Sequence, residues 1–167
     1  MATVERRHSY ATFVHWSAGD GPGTTSYRSY SRDHTVGAVG KPPIAASSDP
    51  AFRGDAGRYN PEELFVVSLS ACHMLWYLHL CAVNGVVVLE YRDEARGTLE
   101  LDNDGSGRFV DVTLRPVVTI APGSDARAGI ALHERAHELC FIARSVNVPV
   151  RVEPRVTNAS SGSPGVP

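Results

Sequence analysis

Two sets of residues in this chain are of types that do chemistry. The first is His133-Glu134-Arg135-Ala136-His137, an H-E-x-x-H sequence. On a helix the i, i+4 spacing puts both imidazoles on one face, where they can hold zinc while the glutamate serves as general base. Arg135 inside the motif and Glu138 directly after it argue against a buried zinc helix, and Glu153 is the candidate third ligand. An exposed helix that happens to spell the motif is the simpler reading, so no metal ligand is assigned. The second set is the cysteines, Cys72, Cys81 and Cys140. Three are too few for a disulfide scaffold, and most free cysteines are small buried apolar side chains. A reactive one needs its thiolate stabilised. Cys72 stands about twelve residues into its expected helix, too far for the N-terminal dipole to help, so a nearby arginine is the expected partner.

These residues depend on two helices. Asn60-Pro61-Glu62-Glu63 is a helix start: Asn60 can cap, Pro61 fits the first helical position, and Glu63 completes a capping box. The helix is expected to run to Val83, with Asn84-Gly85 as its stop. A second helix is expected over 124–143, placing Cys140 near its end. Strands are expected over 10–16, 27–30, 86–91, 96–101, 109–120 and 148–156. Residues 40–59 read as a long loop. The order is ββ-α-ββ-α-β, an α+β fold, as one domain over 1–156 with a disordered tail over 157–167. Residues 64–83 are long enough to span a bilayer, but Ser68, Ser70, His73 and His79 favour a wholly buried helix of a soluble protein. That helix is apolar nearly all round, more than one small sheet can cover, and a second copy of the chain is the expected cover.

Composition narrows the function classes. Of the 167 residues, 43% are hydrophobic and 20% charged, which excludes a disordered or fibrous chain. A net charge of -2 leaves no basic excess for binding nucleic acid. Lys41 is the only lysine, so no other position offers a Schiff-base amine. The first residues lack the apolar core of a signal peptide, and a reducing cytoplasm is the expected location.

Asn60-Pro61-Glu62-Glu63-Leu64-Phe65 followed by Ser70-Ala71-Cys72-His73 resembles the OsmC/Ohr family of thiol-dependent organic hydroperoxide reductases. So do Ala136-His137-Glu138-Leu139-Cys140, the run Phe141-Ile142-Ala143-Arg144-Ser145-Val146-Asn147, and Val112-Thr113-Leu114-Arg115-Pro116. The resemblance extends over about residues 10–156. It implies an OsmC-like fold with a long buried central helix in an intertwined homodimer. It also implies that Cys72 attacks the peroxide, that Cys140 resolves the product as a Cys72–Cys140 disulfide, and that a lipoyl-type dithiol is the reductant, with no metal, haem or flavin. Glu62 matches the family's glutamate. The family's thiol-activating arginine maps first onto Arg53 and second onto Arg32, and Cys81 is left to packing. Leu69, Met74, Leu75 and Trp76 around Cys72 would favour apolar peroxides. His73 could tune the thiol, though a buried structural histidine is the simpler role.

Helix geometry adds one constraint. Glu62 and Cys72 are ten residues apart, roughly 15 Å along a straight helix. A carboxylate cannot cover that distance to its own chain's sulfur, so Glu62 is expected to serve a partner's Cys72 in a homodimer. Two other readings stand beside the peroxidase: a zinc-dependent hydrolase using His133, Glu134 and His137, and a stress-induced protein of the same fold with little peroxidase activity.

Overall fold

The computed structural model describes residues 7–160, and the end of the expected tail, 161–167, lies outside them. The chain divides into two compact units, one ending at Leu64 and the other beginning at Phe65. In the first, β1 (Phe13–His15), β2 (His34–Gly37) and β3 (Ile44–Ala46) form an antiparallel sheet in that order. The strand expected over 27–30 is instead a run of turns. Ser29 explains the difference, because its hydroxyl accepts the Ser26 N–H and donates to the Gly23 and Ser26 carbonyls. Such local bonds satisfy a backbone that would otherwise need a ladder partner. The expected loop over 40–59 contains β3 and a 3-10 turn at Pro50–Phe52, capped by the Asp49 carboxylate.

Helix α1 (Pro61–Val83) has the expected ends. Asn60 Oδ1 accepts the Glu63 N–H at 2.7 Å and Glu63 Oε2 accepts the Asn60 N–H at 3.1 Å, a reciprocal capping box. At the other end the Val86 N–H reaches back to the Cys81 carbonyl, and Gly85 takes the left-handed φ of 74° that this stop requires. The helix is not wholly buried, contrary to expectation. Leu69, His73, Tyr77 and Cys81 form one buried stripe at i, i+4 spacing, while Val67, Ala71, Leu75, His79 and Val83 form an exposed stripe on the opposite side.

The second unit holds β4 (Val88–Asp93), β5 (Arg96–Leu101), β6 (Gly107–Leu114), β7 (Pro116–Ile120), α2 (Ala126–Leu139), β8 (Val150–Val152) and β9 (Arg155–Asn158). The strand expected over 109–120 is two, broken at Arg115. β6 joins the sheet β5-β6-β8 and β7 joins the sheet β4-β7-β9. Pro116 lacks an N–H, and the Arg115 N–H leaves the ladder to bond the Asp93 carboxylate at 2.6 Å. The last expected strand also breaks before a proline, at Glu153-Pro154, where the Glu153 N–H still bonds the Leu114 carbonyl; the halves are β8 and β9, which pair in parallel with β6 and β7. Thr157 and Asn158 therefore belong to a strand rather than to the tail. The architecture is α+β, as expected, with nine strands among the described residues where six were expected.

Leu69 packs with Val112 and Leu114, and Tyr77 and Cys81 pack with Val86, Val118, Ile120 and Ala136. Asp125 caps α2 through its side chain. The helix ends at Leu139, short of the expected Ala143, and Cys140 stands just past it in an extended conformation.

Candidate thiol site

Cys72 lies in the middle of α1, half-buried, and Cys140 at the end of α2, fully buried. Cys72 is close enough to push the Cys140 thiol up, so the two cysteines are neighbours. All three cysteines are free. Cys140 is held by the turn that follows α2: the Ala143 N–H points at its sulfur at 3.5 Å, and its carbonyl accepts the Arg144 N–H at 3.0 Å. Burial pushes the Cys140 thiol up to about 11, against the pull of the Ala143 N–H and with a further push from Cys72. Two neighbouring thiols can be oxidised to a disulfide once an oxidant has taken one of them to a sulfenic acid.

Apolar side chains surround the pair. Trp76, one turn beyond Cys72, meets the ring of Phe141 edge-on at 5.4 Å and His79 edge-on at 5.8 Å. Phe141, next to Cys140, is 66% exposed, so the aromatic edge beside the sulfurs is open to solvent.

The two arginines singled out in the sequence belong to the first unit and differ in setting. Arg53 is exposed and ends the 3-10 turn at a left-handed φ of 67°. Arg32 is anchored: its guanidinium donates to the Tyr30 and Tyr27 carbonyls at 2.6 and 2.7 Å and stacks over both rings. It lines a cavity of about 450 Å³ shared with Trp16, Tyr30, His34, Ser47 and Pro61. Glu62 is half-buried in the first turn of α1. Sequence reasoning missed the anchors of the Arg32 segment, although Tyr27 and Tyr30 flanking the arginine were a readable signal of cation stacking.

The H-E-x-x-H residues do not form a metal centre. His133 faces inward, and its Nδ1 is hydrogen-bonded to His73 Nε2 at 2.9 Å. Glu134 points outward, and Glu153, the candidate third ligand, is paired with Arg115 at 3.2 Å. No group of three or more His, Cys, Asp or Glu that could hold a metal occurs among the described residues. His73 is fully buried, Tyr77 stacks on His133 at 3.8 Å, and burial lowers His73 to about 4 and His133 to about 3. Cys81 packs against Tyr77, and desolvation raises its thiol.

The comparisons fit this geometry. The family model for OsmC-like proteins matches residues 54–155, more than half of the chain. An OsmC-like protein of unknown function from Vibrio cholerae is 34% identical, with a TM-score of 0.82 over 89% of this chain and 100% of that one. An organic hydroperoxide resistance protein OsmC from Legionella pneumophila shares the fold at 20% identity, with a TM-score of 0.63 over 90% of this chain and 99% of that one. The organic hydroperoxide resistance protein OhrB of Bacillus subtilis does so at 19% identity, with a TM-score of 0.59 over 89% and 98%. No curated protein matches the sequence. With its fold and its motifs accounted for, the chain belongs to the OsmC-like family.

Proposed function

We propose that the protein is a cysteine-based peroxidase that reduces organic hydroperoxides to alcohols. The proximity of the Cys72 and Cys140 thiols carries this reading. The Cys72 thiolate attacks the distal peroxide oxygen, the O–O bond breaks, and the alkoxide leaves and takes up a proton as the alcohol. Cys72 is then a sulfenic acid. The Cys140 sulfur displaces its hydroxyl as water, forming the Cys72–Cys140 disulfide. An external dithiol of lipoyl type restores both thiols by exchange and becomes a cyclic disulfide. No metal, haem or flavin takes part. The open aromatic edge of Trp76 and Phe141 suits apolar peroxides. Free thiols suit a reducing compartment, and the cytoplasm is the proposed location.

Thiolate stabilisation falls to an arginine of the N-terminal unit. The candidates stand as the resemblance gives them, Arg53 first and Arg32 second. Glu62 would orient that arginine across a homodimer. The exposed stripe of α1 supports such a dimer: Val67, Leu75 and Val83 are 55%, 63% and 65% exposed, and a second copy of the chain would cover them. Cys72, next to Ala71, stands at the edge of that stripe, so covering it would bring the partner up to the sulfur.

The test is a free-thiol titration before and after one equivalent of cumene hydroperoxide, on protein assayed for zinc. The expected result is a drop from three thiols per chain to one, abolished in Cys72→Ser and in Cys140→Ser. Three unreacted thiols would refute the peroxidase reading. They would leave the family's fold without this activity, as in a stress-induced protein of another role.

A further inference from the structure

The peroxidase reading leaves the H-E-x-x-H motif without a role, and its first histidine is the most constrained polar group in the second unit. His133 is 2% exposed and His73 fully buried, and the bond between them is the only side-chain hydrogen bond from α1 to α2 among the described residues. The two rings lie parallel, 8° apart, with Tyr77 stacked on His133. His73 Nδ1, His133 Nε2, His137 Nδ1 and the Tyr91 hydroxyl are all buried here without a protein partner. A buried histidine pair is an expensive way to join two helices, since apolar side chains of similar size cost less to bury.

The two ends of this bond flank the thiols. His73 is the residue after Cys72 on α1, and His133 lies on α2 within two turns of Cys140, which directly follows that helix. A slide or roll of α2 along α1 would therefore move the Cys140 sulfur relative to Cys72. Apolar packing resists such a slide weakly, because it is non-directional, whereas a buried hydrogen bond fixes register. Gly129 adds to the fit: a Cβ there would lie 3.1 Å from Val156, so α2 sits close on β9.

We infer that His73 and His133 are a positioning pair, a clamp between the two helices that sets the spacing of Cys72 and Cys140 and so the efficiency of disulfide formation. The inference deepens the peroxidase reading but does not need a peroxide to be tested. The clamp acts on the sulfur–sulfur geometry and not on the attack at oxygen, so it governs the resolving step and leaves the first step alone. Both rings are neutral when clamped, one N–H donating and one bare nitrogen accepting. Either direction of the bond serves.

The test is the equilibrium of the Cys72–Cys140 pair with a glutathione redox buffer, which reads the effective concentration of one thiol at the other. It is run on the parent, His133→Leu, His133→Gln and the double variant His73→Leu/His133→Leu. The double variant removes both ends and strands neither imidazole, so it keeps a folded comparison if His133→Leu does not fold. The expected result is a fall of about tenfold or more in His133→Leu and in the double variant, with His133→Gln, which can still bond His73, within about threefold of the parent. With cumene hydroperoxide, dimedone should then capture Cys72 sulfenic acid in the leucine variants while the rate of the first oxidation is unchanged. Parent-like effective concentration in every folded variant would overturn the clamp and leave the peroxidase reading standing. A parent that equilibrates with glutathione but ignores the hydroperoxide would refute the peroxidase and leave the clamp.

Discussion

Cys72 and Cys140 are neighbours with different surroundings. Cys140 is fully buried, and desolvation pushes its thiol up from the ordinary 9.0 to about 11. Cys81 is buried too, and its thiol is also raised by desolvation. Half-buried Cys72 is the most accessible of the three sulfurs. At pH 8 a thiol titrating near 11 is about two orders of magnitude less ionised than one at the ordinary value. In Cys72→Ser the Cys140 thiol should therefore alkylate about a hundredfold more slowly than free cysteine, with a rate rising about tenfold per pH unit towards pH 10, and Cys81 should also react slowly. In Cys140→Ser, one thiol should react fast. Alkylation followed by mass mapping checks both, and a fast Cys140 would reverse the assignment. Glu134 offers a second contrast at this scale. It lies exposed beside a histidine whose Nδ1 already bonds His73, so Glu134→Gln should leave peroxide-driven thiol loss within about twofold of the parent. A zinc hydrolase would be disabled by the same change.

At the scale of helices and sheets, the His73–His133 pair makes the contact of α1 and α2 sensitive to acid. Both imidazoles titrate below the ordinary 6.5 in the fold, at about 4 and about 3, because burial penalises the cation and each ring faces another histidine, His137 for His73 and His73 for His133. Tyr77 and Cys81 on α1, and Tyr91 on β4, surround the pair as neutral groups whose protons burial retains, with Asp93 the charge beyond Tyr91. The unfolded chain binds protons that the fold refuses, so this contribution to stability is complete above pH 6.5 and lost as pH falls towards 4. Two protons set a limit of roughly 2.7 kcal/mol per pH unit in that window. Melting temperature measured from pH 7.5 to 5 should fall steeply below 6.5, and much less in His73→Leu/His133→Leu. Equal slopes would mean that other groups control acid stability. Legibility at this scale divides along physical lines. The ends of α1 were readable because Asn60, Pro61, Glu63 and Gly85 act through bonds local in sequence. The breaks at Arg115 and Glu153 were not, because Asp93 and Arg115, distant in sequence, take the backbone and side-chain bonds at those corners. The cysteine pairing was implied by motif resemblance alone. The inward turn of His133 depends on which face of α2 meets α1, and no spacing within the motif reveals that.

For the whole molecule the open question of surface lies on α1. By length and composition this helix could cross a membrane, yet one side of it buries His73 and Tyr77 against sheets and α2. The other side presents Val67, Ala71, Leu75, His79 and Val83 in a line at i, i+4 spacing, a stripe that is apolar but for His79 over most of the helix. Isolated exposed apolar residues are ordinary on a protein surface, but a continuous stripe is a mark of an interface. A second copy presenting the same stripe gives a two-fold contact of helix on helix, since such an interface is self-complementary. Glu62 favours the same answer, because ten residues of helix hold it roughly 15 Å along the axis from its own Cys72. In the dimer each Cys72, at the edge of the stripe, would border the other chain. Leu75→Glu places a charge at the centre of that contact without touching the buried stripe. Sedimentation at micromolar concentration should show the parent as a dimer and Leu75→Glu as a folded monomer. Hydroperoxide turnover with a dithiol should fall at least tenfold in the variant if the sites are shared. A monomeric variant of undiminished turnover would keep the dimer but confine each site to one chain, and Glu62 would then have no part in the chemistry. A monomeric parent would remove both the interface and the shared site, leaving the stripe to some other partner.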